Sequence, residues 1–361
     1  MSLNQSAEKY INQYKRLNRF KRIGIILMLV ALVLFVMGLW SNIMLLSDPI
    51  LLNNFDENMP TMLRLTGFVV LADFLAIYVA YIRPNQRTFR NEGYGVIISD
   101  IVKKTLPDCK YKYNDDSFEA IKSTDISTSE LIPKNANGFN IYNNIKGVHN
   151  SVPFRFCTLE MYNYNTVNTN TYIGHTKIQR ERNIKNNVFE GCWFIFDCHI
   201  KMNSRVFIVS RHSSSYNDLI YKMKISPLQE ILTPDNDFNS MFAVFSYDLE
   251  SPEYIVNSKM MNYLKYLSKK YNCDPVVYCN NGVISVGINC GRAILRPDTF
   301  SIFPVSIESV INSAQSDIAF VADCLNILDF SDYVTQNYTE FKQQNDSMYY
   351  TGKDIDTNYP I

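Results

Sequence analysis

Histidine is scarce in this chain of 361 residues: the four are His149, His175, His199 and His212, and none stands in an HExxH or other metal or hydrolase spacing. The phosphate-cradling GxxxxGK(S/T), the dinucleotide GxGxxG and the nucleophile elbow GxSxG are also missing. Formal net charge is zero, and no basic stripe interleaved with aromatics runs through the sequence. Nucleic-acid binding needs a basic face to neutralise phosphates, so no nucleic-acid partner is expected. No catalytic residue, metal ligand or cofactor follows from motifs.

Charge is present but unevenly placed. Residues 1–22 carry Lys9, Lys15, Arg16, Arg19, Lys21 and Arg22 against Glu8. A charge-free run then extends from Ile23 to Ser47. About 20 apolar residues cross a hydrocarbon core of about 30 Å, so 23–46 reads as a transmembrane helix, with Trp40 suited to the far interface. A second apolar segment, 65–82, lies between Arg64 and Arg83 and holds Asp73 at its midpoint. One central carboxylate costs roughly 3 kcal/mol, which the surrounding Leu, Ile, Val and Phe offset, so a second span is expected.

Orientation follows from the flanking cations. The basic N-terminus and Arg83, Arg87 and Arg90 belong inside, and the acidic loop with Asp48, Asp56 and Glu57 belongs outside. The expectation is a hairpin anchor in the inner (plasma) membrane with both termini cytoplasmic. Lys15, Arg16, Arg19, Lys21 and Arg22 are the candidate contacts to an anionic inner leaflet. All eight cysteines follow the second span and are expected as reduced thiols.

Residues 83–335 read as a cytosolic α+β domain with a mainly antiparallel β-sheet and flanking helices. Strand-like runs at 152–162, 188–200, 205–212 and 241–248 are rich in Phe, Val, Ile and Tyr. A helix opens at 94–106. Another is capped by Asn257 or Ser258, with Met260, Met261, Leu264 and Leu267 forming its apolar stripe. Asn280-Asn281-Gly282 marks a hairpin turn. A closing helix turns Ile307, Val310, Ile311, Ala314, Ile318, Val321 and Leu325 inward. Residues 162–187 lack periodicity and read as a long excursion, and 336–361 as a polar, disordered tail.

Phe189-Glu-Gly191 opening an aromatic strand, and Phe242-x-Val-Phe-Ser-x-Asp248 leading into a helix, resemble a bacterial family known as domain of unknown function 3137. The likeness covers roughly residues 90–300 and the anchor. It implies a bacterial membrane protein with a cytosolic domain and supplies no catalytic residues. An arginine usual before that helix is absent from Pro252–Ser258, so no role for it carries over.

Cys192, Asp197, Cys198 and His199 crowd one stretch. In a strand, alternate side chains share a face, and the sulfurs of Cys192 and Cys198 would lie roughly 20 Å apart, too far to share a metal ion. Cys273 and Cys279 repeat that spacing. The leading expectation is a membrane-anchored binding or scaffolding module, with a protein partner or a second copy as further candidates for recognition. An anchored hydrolase would gather at least two of Cys192, His199, Asp248 and Cys279 in one concave pocket. An oligomeric ion pathway would use Asp73.

Overall fold

The computed structural model describes residues 5–47, 59–112, 121, 125, 126, 129, 131, 136–173, 176–198, 204–296 and 303–331. It divides into two compact units, Met1–Thr105 with Leu295–Ile318, and Leu106–Ile294 with Ala319–Ile361.

The first unit is helical. Helix α1 (Gln5–Ser47) holds the charge-free run together with the basic segment before it. Helix α2 (Met59–Ile77) packs against it, and Gly24 leaves room on α1 for the ring of Phe74. The second apolar helix does not stop at residue 82. Helical backbone continues through a π turn (Tyr78–Ile82), α3 (Arg83–Thr88), a second π turn (Phe89–Gly93) and α4 (Tyr94–Thr105). Pro84 lacks an N–H and crowds the preceding turn, which ordinarily interrupts a helix. Here the π turn directly before it takes up that conflict. The helix expected at 94–106 is thus the end of one long helical path. Tyr14 packs on Phe89 with tilted rings and Phe20 meets Tyr81 edge-on, at centroid distances of 4.3 and 4.8 Å.

The second unit is a nine-stranded, wholly antiparallel sheet in the order β1-β2-β3-β4-β9-β8-β5-β7-β6. Its strands are β1 (Cys109–Lys112), β2 (Gly138–His149), β3 (Val152–Ile173), β4 (Thr176–Asp197), β5 (Val206–Ser210), β6 (Gln229–Ile231), β7 (Phe242–Ser246), β8 (Asp274–Asn280) and β9 (Val283–Asn289). Helices α5 (Ser214–Met223), α6 (Asn236–Met241), α7 (Ser251–Ile255), α8 (Ser258–Tyr271) and α9 (Ile307–Ile327) accompany it. The mixed α+β class with flanking helices is therefore the observed one.

Both faces of the central strands are buried, which explains why β5 and β7 read as continuous apolar runs instead of alternating. One face carries Phe156, Cys192, Phe194, Phe196, Val286 and Ile288, and Phe330 meets Phe196 edge-on at 4.7 Å. The other face carries Trp193, Ile195, Phe207, Val209 and Tyr278, covered in part by Leu219 of α5 and by Leu228. The β8–β9 hairpin turns at Asn281 and Gly282, with φ of 46° and 82°. Two consecutive positive φ values define the type I′ turn that suits strand twist, and glycine takes that conformation without steric cost. Asn257 is the N-cap of α8, accepting from the Met260 N–H at 2.9 Å.

The excursion expected over 162–187 is instead ladder. Tyr162–Ile173 pairs with Thr176–Asn187, extending the β3–β4 hairpin. Asn165, Thr166 and residues 184–187 are exposed, so these described residues show no inward hydrophobic set to betray a strand period. The tail expectation over 336–361 and His199 fall outside the described residues.

Candidate ligand pocket

Cys192 and Trp193 are neighbours on β4 and so point to opposite faces of the sheet. On the cysteine side, four thiols from separate segments converge: Cys192, Cys273 just before β8, Cys290 just after β9, and Cys324 on α9. Register explains it. Asp274 pairs with Asn289 and Cys192 with Ile288, so Cys273 and Cys290 continue the β8–β9 ladder while Cys192 lies diagonally opposite Cys290. Burial, together with Cys290 and Asp274, pushes Cys273 up to about 12. Burial likewise raises Cys192 and Cys324, with Cys290 adding to both. A raised pKa keeps a thiol protonated and a poor nucleophile. These side chains act as small core hydrophobes. Among the described residues, no three His, Cys, Asp or Glu side chains are arranged to hold one metal ion.

The tryptophan side holds a concavity. It has a volume of about 150 Å³ and is bounded by Trp193, Phe189, His212, Ser213–Ser215, Asp274 and Asn289 among others. Gly287, paired with Trp193 across β4 and β9, seats the indole; a Cβ there would come within 2.5 Å of the ring. Trp193 is fully buried, and its Nε1–H has no hydrogen-bond partner among the described residues. A buried donor left unpaired costs about 1–3 kcal/mol.

The polar rim is ordered by the turn between β5 and α5. Ser210 donates its hydroxyl to Asp274 Oδ1 at 3.0 Å and accepts from the His212 N–H at 3.3 Å. Ser213 donates to the Ser210 carbonyl at 2.7 Å and, as N-cap of α5, accepts from the Tyr216 N–H. Asn289 Oδ1 accepts from the Glu190 and Gly291 N–H groups, each at 3.2 Å. His212 is exposed and Asp274 half-buried.

Of the residues expected of a hydrolase, Cys192, Asp248 and Cys279 do not line this concavity. Cys192 is buried on the opposite face; Cys279 is fully buried, with Cys198 nearby. Asp248 is occupied locally, accepting from the Ser251 N–H at 2.6 Å and from its hydroxyl at 2.8 Å at the start of α7. His199 lies outside the described residues. In the helical unit, Asp73 is exposed on α2, and Lys15, Arg16, Arg19 and Arg22 are exposed on α1. Lys21 departs from that set, with only 3% of its surface exposed.

Trp193, Asp274 and Asn289 were not singled out by sequence reasoning as a site. The nearest signal is the His212-Ser-Ser-Ser215 turn between a strand and a helix, whose serines suit a helix cap.

Residues 187–329 match the family model described as Protein of unknown function (DUF3137). The crystal structure of the mycobacterial trehalose monomycolate transport factor A, TtfA, aligns at 8% sequence identity over 66% of this chain and 97% of that one. Its TM-score is 0.28, too low for the likeness to carry an argument. Comparison with curated proteins gives no match. The stretch similar to that family runs from within β4 to just past the end of α9.

Proposed function

We propose that this protein is a membrane-anchored binding module: α1 and α2 cross the bilayer, both termini lie on the cytoplasmic side, and the sheet unit presents its pocket to the cytosol. The observation that carries the reading is the exposure of the apolar helices. Both are long and apolar enough to span a membrane, yet only 17% of the most apolar window of each is buried. Such surface is costly in water and neutral in lipid.

The direction rests on the cations around the two segments. Lys15, Arg16, Arg19 and Arg22 are exposed where the helix would leave the inner leaflet, and each gains about 1 kcal/mol near anionic headgroups. The binding half of the reading rests on the concavity beside Trp193. A thiol reagent that cannot cross membranes tests the arrangement. Applied to intact cells, it should react with cysteine placed between α1 and α2 (Asn53→Cys) and leave the native thiols untouched.

A further inference from the structure

The helical unit carries a groove of about 560 Å³ between α1 and the helical path that follows α2. Lys9, Asn12, Gln13 and Arg16, at helical spacing on α1, form one wall. The other wall runs from Tyr81, in the first π turn, through Asn85 and Thr88 of α3 to Glu92, in the second. Such turns within helices frequently mark functional sites, and only the first of these two precedes a proline. At the end next to the apolar runs, Phe20 meets Tyr81 edge-on, with 38% and 36% of their surfaces exposed. Arg16 stands one turn of α1 beyond Phe20, about 6 Å further from the apolar run. The headgroup layer of a bilayer is about 5–8 Å deep, so with α1 as a span Arg16 lies at the level of the lipid phosphates.

Arg16 is exposed and makes no hydrogen bond or ion pair with another described residue. A guanidinium presents paired N–H donors that match phosphate oxygens. Asn12, one turn further along α1, has no hydrogen-bond partner among the described residues either. Gln13 donates one hydrogen to Asn85 Oδ1 at 3.3 Å and keeps its carbonyl oxygen and second hydrogen for other partners. Beyond the cation, then, the groove offers neutral donors and acceptors, the set that hydroxyl groups satisfy. Glu92, the carboxylate among the lining residues, accepts from the Tyr10 hydroxyl at 3.2 Å. Tyr10 lies about 9 Å along α1 from Arg16, out of reach of an ammonium two carbons from the phosphate. Such an ammonium would meet Arg16 instead. We infer that this groove binds an anionic phospholipid whose headgroup is a polyol such as glycerol. Its phosphate pairs with Arg16, its hydroxyls with Asn12 and Gln13, and its acyl chains leave past Phe20 and Tyr81. Lys15, Arg19 and Arg22 lie outside the lining and add attraction to the leaflet as a whole.

This rests on reading α1 and α2 as membrane spans, which thiol labelling tests separately. The full chain in detergent is titrated by calorimetry with short-chain phosphatidylglycerol, phosphatidylserine and phosphatidylcholine. A fourth probe, glycerophosphoglycerol, is the same headgroup without acyl chains. Phosphatidylglycerol and phosphatidylserine have equal net charge, so charge alone does not separate them. The expected result is saturable binding of phosphatidylglycerol, with the other three probes at least tenfold weaker. Arg16→Gln should weaken that binding at least tenfold, and Arg19→Gln, the same charge change outside the groove, less than threefold. Asn12→Ala, at an exposed position, should narrow the preference for phosphatidylglycerol over phosphatidylserine at least threefold. Absence of saturable phosphatidylglycerol binding overturns the inference, as do equal losses in Arg16→Gln and Arg19→Gln. Phosphatidylserine binding as tightly overturns the polyol headgroup, and glycerophosphoglycerol binding as tightly overturns the lipid. Any of these failures, with thiol labelling as expected, leaves the anchored arrangement standing.

Discussion

Ile23, Ile26, Leu29, Val33 and Trp40 on α1 are 53–62% exposed, whereas Phe156, Trp193, Phe194 and Phe207 in the sheet are fully buried. Both sets are strongly apolar. The central strands of the sheet find their non-aqueous surroundings within the chain, with β5 and β7 buried along their whole length. The helical pair brings its own backbone hydrogen bonds and leaves its side chains facing outward, as a segment surrounded by lipid does. Apolar composition alone does not separate the two cases; the placement of the side chains does.

The comparison breaks most visibly at α1. Leu29→Arg with Val33→Arg puts two charges in the middle of the apolar run at a combined insertion cost of about 6 kcal/mol. The double variant should leave the membrane fraction. The thermal transition of the sheet unit in detergent should stay where it is. A transition that falls together with membrane retention would mean that the exposed helix face supports the sheet.

A smaller effect is expected inside the sheet. Gly287→Ala places a Cβ within 2.5 Å of the Trp193 ring. Overpacking of this kind costs typically 1–3 kcal/mol, so the melting temperature should fall by several degrees while membrane retention is unchanged. Trp193→Phe in the same background should restore part of the loss.

The smallest effect lies where α8 meets α9 within the sheet unit. Burial works to raise the Asp323 carboxyl, but hydrogen bonds from Lys270, at 2.5 Å, and from Tyr271 outweigh it and hold the group below its ordinary value. A carboxylate depressed in the folded state adds stability above its unfolded pKa of about 3.9, and that contribution disappears as pH falls through the folded value. The melting temperature of Asp323→Asn should therefore lie slightly below wild type at pH 7, with the gap closing below about pH 4. A gap that stays constant with pH would show that the carboxylate charge contributes nothing.

What the sequence made legible was local. The cap and apolar stripe of α8, the Asn-Gly turn of β8–β9 and the apolar face of α9 each lie within one short window. The long ladder of β3 and β4 was hidden because, among its described outer residues, Asn165, Thr166 and 184–187 are exposed and show no inward alternation. Strands β1, β2 and β6 escaped for a related reason: β2 is interrupted by Asn143 and Asn144 at a register shift, and β6 has three residues. The pocket was not legible at all. His212 and Asp274 are far apart in sequence and approach only because β5 pairs with β8. The indole of Trp193 faces them only because its neighbour Cys192 takes the other side. The convergence of Cys192, Cys273, Cys290 and Cys324 depends in the same way on strand register.

The central claim is that both ends of the chain lie inside the cell, and native thiols make it directly testable. All eight cysteines follow the second apolar segment, and Cys290 is partly exposed. Intact cells are treated with a membrane-impermeant maleimide, with permeabilised cells as reference. Wild type should label only after permeabilisation, whereas Asn53→Cys should label in intact cells. Labelling of the wild-type thiols in intact cells, with Asn53→Cys gaining nothing, would place the sheet unit outside and contradict the account.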